Sequence, residues 1–194
     1  RRNFSRRKDF SLMAKAKSAY SEPTKLGKPD HYIIVVWVDN ETGVLARVIG
    51  LFSGRGYNIE SLAVAEVDKL KHLSRITIVS IGTPEVIEQI KLQLRKLLCV
   101  HKVADFKRSD PDILFRELAL FKIVSSSKNQ EKVKKACKKY NSVILDKSKK
   151  SFVIQITALR REIDKLITAI KPMGLVSVSR TGAVAMTRGS EVFK

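Results

Sequence analysis

Residues 39–62 read DNETGVLARVIGLFSGRGYNIESL, and they decide the fold of the chain around them. The β-branched run Tyr32–Val38 predicts a strand that ends at this segment. Gly43 then opens an amphipathic helix, Val44–Ser53, whose apolar residues recur on one face. A Gly-Arg-Gly turn that requires positive φ ends the helix, and Tyr57–Val67 predicts a returning strand. The segment therefore predicts a strand–helix–strand unit.

The start of the predicted helix is a candidate site for a carboxylate. The N–H groups of Gly43, Val44 and Leu45 have no acceptor within a helix that begins there. Gly43 lacks a Cβ, so a ligand can approach the backbone closely. The side-chain amide of Asn40 can donate and accept hydrogen bonds at the same turn.

The start of the returning strand offers complementary groups. The side-chain oxygen of Asn58 can accept a hydrogen bond from the ammonium group of an amino acid. Ile59 and Val44 offer apolar surface for a branched side chain. Because Asn40 and Asn58 are also common turn residues, the spacing alone leaves a binding and a purely structural interpretation open.

The rest of the chain predicts two units of the same shape, hence the fold class α+β with two ferredoxin-like βαββαβ domains. Each sheet is expected to carry its helices on one face and to leave an exposed edge strand. The predicted elements that follow the opening segment are the strands Leu73–Ile81, Val100–Phe106, Glu117–Val124, Ser142–Asp146, Ser151–Thr157, Leu175–Arg180 and Val184–Thr187, and the helices that start at Pro84, Asn129 and Arg160.

Composition shifts divide the chain. Residues 1–30 predict a basic, disordered extension, residues 31–107 the first domain, residues 108–116 a linker and residues 117–194 the second domain. The arginine-rich start also resembles an organelle transit peptide. A cytoplasmic location is expected, and an organelle location remains open on that account.

The formal net charge of +19 has two interpretations, a nucleic-acid partner or a solvated basic surface. The surface is favoured, because the lysines at 132, 134, 135, 138 and 139 fit the outer face of one helix. RNA-recognition domains share the βαββαβ order, but they stack bases on aromatic residues of the central strands. Leu73–Ile81 has no aromatic residue and the matching strand of the second unit has only Phe152, which disfavours RNA.

No catalytic or metal constellation is evident in the sequence. His31, His72 and His101 fall at strand or turn edges without paired carboxylates, so structural roles are expected. Cys99 and Cys137 lack metal-like spacing and predict buried or free thiols. No apolar run is long enough to cross a membrane. A non-enzymatic binding protein is therefore expected.

Three longer stretches carry a resemblance to a known family: HYIIVVWVDNETGVLARVIGLFSGRGYNIESL from His31, HLSRITIV from His72 and EQIKLQLRKL from Glu88. They closely resemble the regulatory (small) subunit of acetohydroxyacid synthase, also called acetolactate synthase. The resemblance runs from Tyr32 to about Arg188, and the first domain of the chain resembles an ACT domain. Many ACT domains have Pro where this chain has Thr42. The threonine leaves the glycine site intact, but it restricts the conformation of the turn less than a proline would.

The resemblance implies a non-catalytic chain without a cofactor of its own. In that family the catalytic subunit carries thiamine diphosphate, Mg and FAD, and the small subunit activates it and confers feedback inhibition by valine or another branched-chain amino acid. The effector lies between two ACT domains of a homodimer. By motif, the effector-binding residues are Asn40, Gly43, Val44, Leu45, Asn58 and Ile59. A stand-alone amino-acid-binding module is the alternative, and an RNA-binding protein comes after it.

Overall fold

The structure is a computed structural model that describes residues 27–125 and 127–190. The extension expected over residues 1–30 lies outside them, apart from its last four residues. The elements in chain order are β1 (Asp30–Asp39), α1 (Val44–Gly54), β2 (Ser61–Asp68), β3 (Leu73–Gly82), α2 (Pro84–Leu94), β4 (Val100–Lys107), β5 (Ile113–Val124), α3 (Ser127–Lys139), β6 (Val143–Lys147), β7 (Ser151–Ala158), α4 (Arg160–Ile170) and β8 (Leu175–Thr187).

Within the described residues, the strands form two four-stranded antiparallel sheets. The first has the order β2-β3-β1-β4 and the second the order β6-β7-β5-β8. The two βαββαβ units and the α+β class are thus confirmed. Both sheets end in edge strands, with β2 and β4 at the sides of the first sheet and β6 and β8 at the sides of the second.

The first domain packs α1 and α2 on one face of its sheet. Phe52 from α1 and Ile90 from α2 are fully buried against Val36, Ile76 and Ile78. The start of α2 follows from its sequence, because the Thr83 hydroxyl accepts a hydrogen bond from the Val86 N–H at 3.4 Å and proline stands in the first turn.

The second domain repeats this arrangement with α3 and α4. Phe121, Phe152 and Ile154 on the sheet are fully buried beneath Val133 and Leu166. The five lysines expected on the outer face of the helix lie on α3, where Lys132, Lys135, Lys138 and Lys139 are exposed and Lys134 is half-buried. The basic helix therefore points its charge to solvent while its apolar stripe completes the core.

A two-stranded ribbon joins the domains. Beyond the second sheet, the start of β5 pairs with the end of β8, so that Ile113 lies opposite Thr187 and Phe115 opposite Ala185. The inner side of this ribbon covers the face of the first sheet that carries no helix. Ile113 and Ala185 form a small buried cluster there with Ile33, Val35 and Val79.

Polar contacts fix the ribbon to the first domain. The Ala183 N–H donates to the Ser61 hydroxyl at 3.1 Å, and the Arg75 guanidinium donates to the Ala185 carbonyl. Next to them, Arg160 at the start of α4 lies 3.7 Å from the Glu60 carboxylate. The first residues of β2 are therefore in direct contact with the second domain.

Three strand boundaries differ from the sequence-based expectation by more than two residues. β2 begins at Ser61 rather than Tyr57, because the Asn58 carbonyl accepts from the Ser80 hydroxyl instead of joining a ladder. β5 begins at Ile113, inside the expected linker. The two last predicted strands are one continuous strand, β8, since its second half pairs with β5 in the ribbon.

Both cysteines are buried and free, as expected. Burial raises the pKa of the Cys137 thiol. None of the helices in the described part of the chain is long and apolar enough to span a membrane. Over the same residues, no cluster of three or more His, Cys, Asp or Glu is suited to hold a metal ion.

Candidate functional site

The start of α1 exposes backbone donors. Gly43 precedes the helix with a left-handed φ of 85°. The Val44 N–H donates to the Glu41 carbonyl at 3.3 Å, so one of the three predicted donors is already engaged. Within residues 27–125 and 127–190, the N–H groups of Gly43 and Leu45 make no hydrogen bond. A Cβ placed on Gly43 would meet no atom within 4 Å, so the remaining donors border open space.

The electrostatics of this helix start favour an anion. The positive end of the helix dipole lies at Gly43, and the first turn of α1 contains no acidic residue to balance it. A ligand carboxylate placed there would accept hydrogen bonds from exposed N–H groups and interact with the dipole.

Asn40 is held in place by neighbouring side chains. Its side-chain oxygen accepts a hydrogen bond from the Ser74 hydroxyl at 3.0 Å, and its amide nitrogen donates to Glu66 at 3.1 Å. Its backbone N–H donates to the His72 carbonyl at 2.7 Å. The amide is thus oriented from β2 and β3, and one of its two N–H groups is left for a ligand.

The apolar candidates have different surroundings. Val44 is 2% exposed and belongs to the core beneath α1, so its side chain does not reach a ligand at the surface. The predicted pocket-lining role of the Val44 side chain is therefore not compatible with this chain's packing. Leu45 is 37% exposed next to it, and Ile59 is half-buried against the same core.

Asn58 lies before β2 with its side chain exposed. Its backbone carbonyl accepts a hydrogen bond from the Ser80 hydroxyl at 2.7 Å, and the Glu60 N–H donates to the Val79 carbonyl at 2.8 Å. These bonds fix the backbone of the segment and leave the Asn58 amide directed outward for a partner.

The two halves of the candidate site lie at opposite ends of the first sheet. Asn40 is next to Ser74 at the start of β3, whereas Asn58 is next to Ser80 near its end. At the usual rise of a strand residue, the stretch between these serines spans about 20 Å. One chain therefore does not bring Asn58 to Gly43.

Two of the three histidines are paired with carboxylates, contrary to the sequence-based expectation. His31 Nδ1 lies 3.0 Å from Glu60, and His101 Nε2 lies 2.6 Å from Asp39. The expectation failed because each pair joins residues distant in sequence. Among the hydrogen bonds of the described residues, none places a serine or cysteine on either imidazole, so no nucleophile–base pair results.

Sequence reasoning missed the residues that support the candidate site. Glu66 and Ser74 orient Asn40, and Ser61 links the Asn58 segment to β8. The only signal that could have found them is the register of β2 on β3, in which Glu66 pairs with Ser74 beside the turn.

Family models cover both domains. The model described as an AHAS small subunit-like ACT domain matches residues 34–102, and the model of the small subunit of acetolactate synthase matches residues 116–189. The acetolactate synthase small subunit of Aquifex aeolicus is 40% identical over 163 residues, which cover 84% of this chain and 83% of that protein. The chain belongs to the acetolactate synthase small-subunit family.

Other members agree with this placement. The small subunit of acetolactate synthase isozyme 3 from Escherichia coli is 37% identical over 84% of this chain and 98% of its own length. Among solved structures, the acetolactate synthase small subunit from Thermotoga maritima superposes with a TM-score of 0.77 at 30% identity, over 83% of this chain and 99% of that one. As a member of the family, the chain is a regulatory small subunit with an N-terminal ACT domain.

Proposed function

We propose that this small subunit activates the catalytic subunit of acetohydroxyacid synthase and confers feedback inhibition by valine. The thiamine diphosphate, Mg and FAD belong to that catalytic partner, and the small subunit supplies no reacting group. As part of this proposal, the complex works in a cytoplasm of the bacterial type. The observation that carries the proposal is the division of the candidate site between the two ends of edge strand β2.

A symmetric dimer brings the two halves together. β2 is the outer strand of the first sheet, and its Val64 and Val67 are exposed. An exposed edge strand can pair with a second copy. When two β2 strands pair antiparallel about a two-fold axis, the Asn58 end of one chain lies beside the Asn40–Gly43 turn of the other. The dimer then has two equivalent sites.

The groups at each joined site match a free amino acid. The carboxylate lies at the N–H groups of Gly43 and Leu45, and Asn40 donates its remaining N–H. The Asn58 oxygen of the second chain accepts from the ammonium group. Exposed Leu45 and half-buried Ile59 supply apolar surface for the branched side chain, a role that the buried Val44 cannot take from this chain.

Valine acts on the catalytic subunit by linkage. It binds one arrangement of the dimer more tightly than another, and the activity follows that equilibrium. A coupling free energy of about 1–3 kcal/mol shifts that equilibrium by about 5- to 150-fold. The Asn58 segment is a suitable start for such coupling, because Ser61 and Glu60 just after it contact β8 and α4 of the second domain.

The test is a reconstituted acetolactate assay with the catalytic subunit and the full small subunit, with and without valine. Gly43→Asp places a carboxylate against that of the ligand, so inhibition is lost while activation is retained. Gly43→Asn is the matched control, since asparagine has the same size, tolerates the left-handed backbone equally well and carries no charge. Asparagine should retain at least part of the inhibition.

Two outcomes contradict the proposal. If the Gly43→Asp variant remains as valine-sensitive as the wild type, the effector does not bind at the start of α1. If the wild-type chain binds valine but never stimulates the catalytic subunit, the chain is a stand-alone amino-acid-binding module.

A further inference from the structure

A cleft of about 630 Å³ lies where the two domains and the segment between them meet. Four arginines line it: Arg108 after β4, Arg116 on the ribbon, Arg161 in the first turn of α4 and Arg188 after β8. The cleft is distant from the start of α1. None of its lining residues belongs to the proposed valine site.

Three of these guanidinium groups are held by uncharged partners. Arg188 Nε donates to the Pro111 carbonyl at 2.8 Å, and Arg116 donates to the Phe115 carbonyl at 2.8 Å. The Arg108 guanidinium lies 5.7 Å from the centre of the Phe115 ring. These contacts orient the side chains without neutralising their charge.

None of the four arginines makes an ion pair within residues 27–125 and 127–190. Elsewhere in the same protein arginines are paired, as Arg180 is with Glu117 and Asp164. The cleft thus concentrates unpaired guanidinium groups in one place, and their mutual repulsion is unfavourable unless an anion enters.

The acidic groups at the rim offset only part of this charge. The Asp30 carboxylate accepts the His31 N–H at 2.7 Å, and the Asp110 carboxylate accepts the Asp112 N–H at 2.9 Å. Both are thus engaged in capping the local backbone. His31, which also lines the cleft, faces the Glu60 carboxylate. Four arginines against two aspartates leave an excess of positive charge.

We propose that this cleft binds a compact, phosphate-bearing polyanion that bridges the two domains. Arginine forks bind phosphate oxygens through paired hydrogen bonds, and several converging forks suit a ligand with more than one negative charge. A volume of about 630 Å³ lies in the range of small-molecule sites rather than of extended protein interfaces. Because Arg108 directly follows β4 of the first domain and Arg161 belongs to α4 of the second, a bound anion stabilises the docking of the two domains.

The probe is inorganic pyrophosphate, titrated into the full chain by calorimetry at low and at physiological salt. Citrate, a compact carboxylate polyanion, is the second probe and distinguishes phosphate from general anion binding. The wild type should bind pyrophosphate more tightly than citrate, and bound pyrophosphate should raise the thermal midpoint of unfolding.

The variant Arg108→Gln/Arg161→Gln should bind pyrophosphate about tenfold or more weakly, since each guanidinium provides charge-assisted hydrogen bonds. Lys135→Gln/Lys138→Gln is the matched control, because it removes the same charge from the exposed face of α3. That control should bind pyrophosphate like the wild type. Arg161→Gln alone, at an exposed residue, keeps the test valid if the double variant folds poorly.

Three results would overturn the proposal. The first is that the wild type fails to bind pyrophosphate at physiological salt. The second is that the lysine variant loses as much affinity as the arginine variant, and the third is that citrate binds as tightly as pyrophosphate. The second result means a diffuse electrostatic effect, and the third a site for carboxylates, including those of an acidic partner protein. Valine takes no part in this experiment, so its outcome is independent of the proposed function.

Discussion

At the scale of single residues, two glycines with the same left-handed backbone have opposite surroundings. Gly43 has φ 85° and open space where a Cβ would lie, so its lack of a side chain exposes backbone donors. Gly182 has φ 82°, and a Cβ there would lie 2.9 Å from the Ser61 hydroxyl and 3.2 Å from the Leu62 carbonyl. The first glycine suits a ligand, and the second allows the two domains to approach.

The ion pair of Arg180 and Glu117 is the most buried in the described residues. Arg180 donates from Nε to one oxygen of Glu117 at 2.6 Å and from its terminal nitrogen to the other at 3.0 Å. The Glu117 side chain is 8% exposed. Hydrogen bonding to Glu117 raises the pKa of Arg180 above its ordinary value. A raised pKa of a base stabilises the fold below that value, so this contribution persists throughout the physiological pH range.

Replacement of Arg180 by glutamine should lower the free energy of unfolding by about 2–3 kcal/mol, because it leaves the Glu117 charge buried without its counter-ion. Denaturant unfolding at neutral pH measures the change. The double variant Arg180→Gln/Glu117→Gln should recover much of the loss, since it removes the unpaired charge. Equal stability of both variants and the wild type would show that the pair contributes nothing.

At the scale of elements, the kink of β8 at Gly182 joins the second sheet to the ribbon. Leu118 on the opposing strand lies at a register shift, and its N–H donates to the Thr181 hydroxyl at 3.2 Å instead of a ladder carbonyl. The kink brings Ala183 to Ser61. A single strand thus belongs to one sheet in its first half and covers the other sheet in its second half.

Gly182→Ala should loosen the contact between the domains, because the new methyl group strains the left-handed backbone and collides with Ser61 and Leu62. The cost is about 2–4 kcal/mol of positive-φ strain and overpacking. Thermal unfolding and proteolysis at the segment between β4 and β5 measure it.

Gly189→Ala is the control for that variant. Gly189 also has positive φ, 67°, but a Cβ there meets no atom within 4 Å, so only strain of about 1–2 kcal/mol is expected. If the two alanine variants are equally stable and equally resistant to proteolysis, close packing at Gly182 does not hold the domains together.

Local signals predicted some elements correctly and missed others for a physical reason. Two helices, α4 and α2, begin at the expected residues Arg160 and Pro84, and Thr83 caps the second of them. The early start of β5 and the length of β8 depend on pairing with each other and on burial against the first sheet. Such contacts between distant segments leave no periodic trace in a short window of sequence.

At the scale of the whole molecule, the sequence could indicate the residues of the candidate site but not their positions relative to one another. Asn40, Gly43 and Asn58 lie within one short segment, which suggests a single pocket. The register of β2 and β3 separates Asn58 from Gly43 by about the length of a strand. This separation is a consequence of topology, and it is the reason why we propose that a second copy completes the site.

The central claim, a valine site built from two chains, is tested most directly with mixed dimers of two differently tagged variants, Gly43→Asp and Asn58→Ala. In a site shared between chains, both defects of the mixed dimer fall into one site and the other site is intact. Calorimetry on the purified mixed dimer should then find one valine per dimer at wild-type affinity, while neither parent homodimer binds valine at that affinity. If the mixed dimer binds no better than its parents, each site lies within a single chain and the account is contradicted.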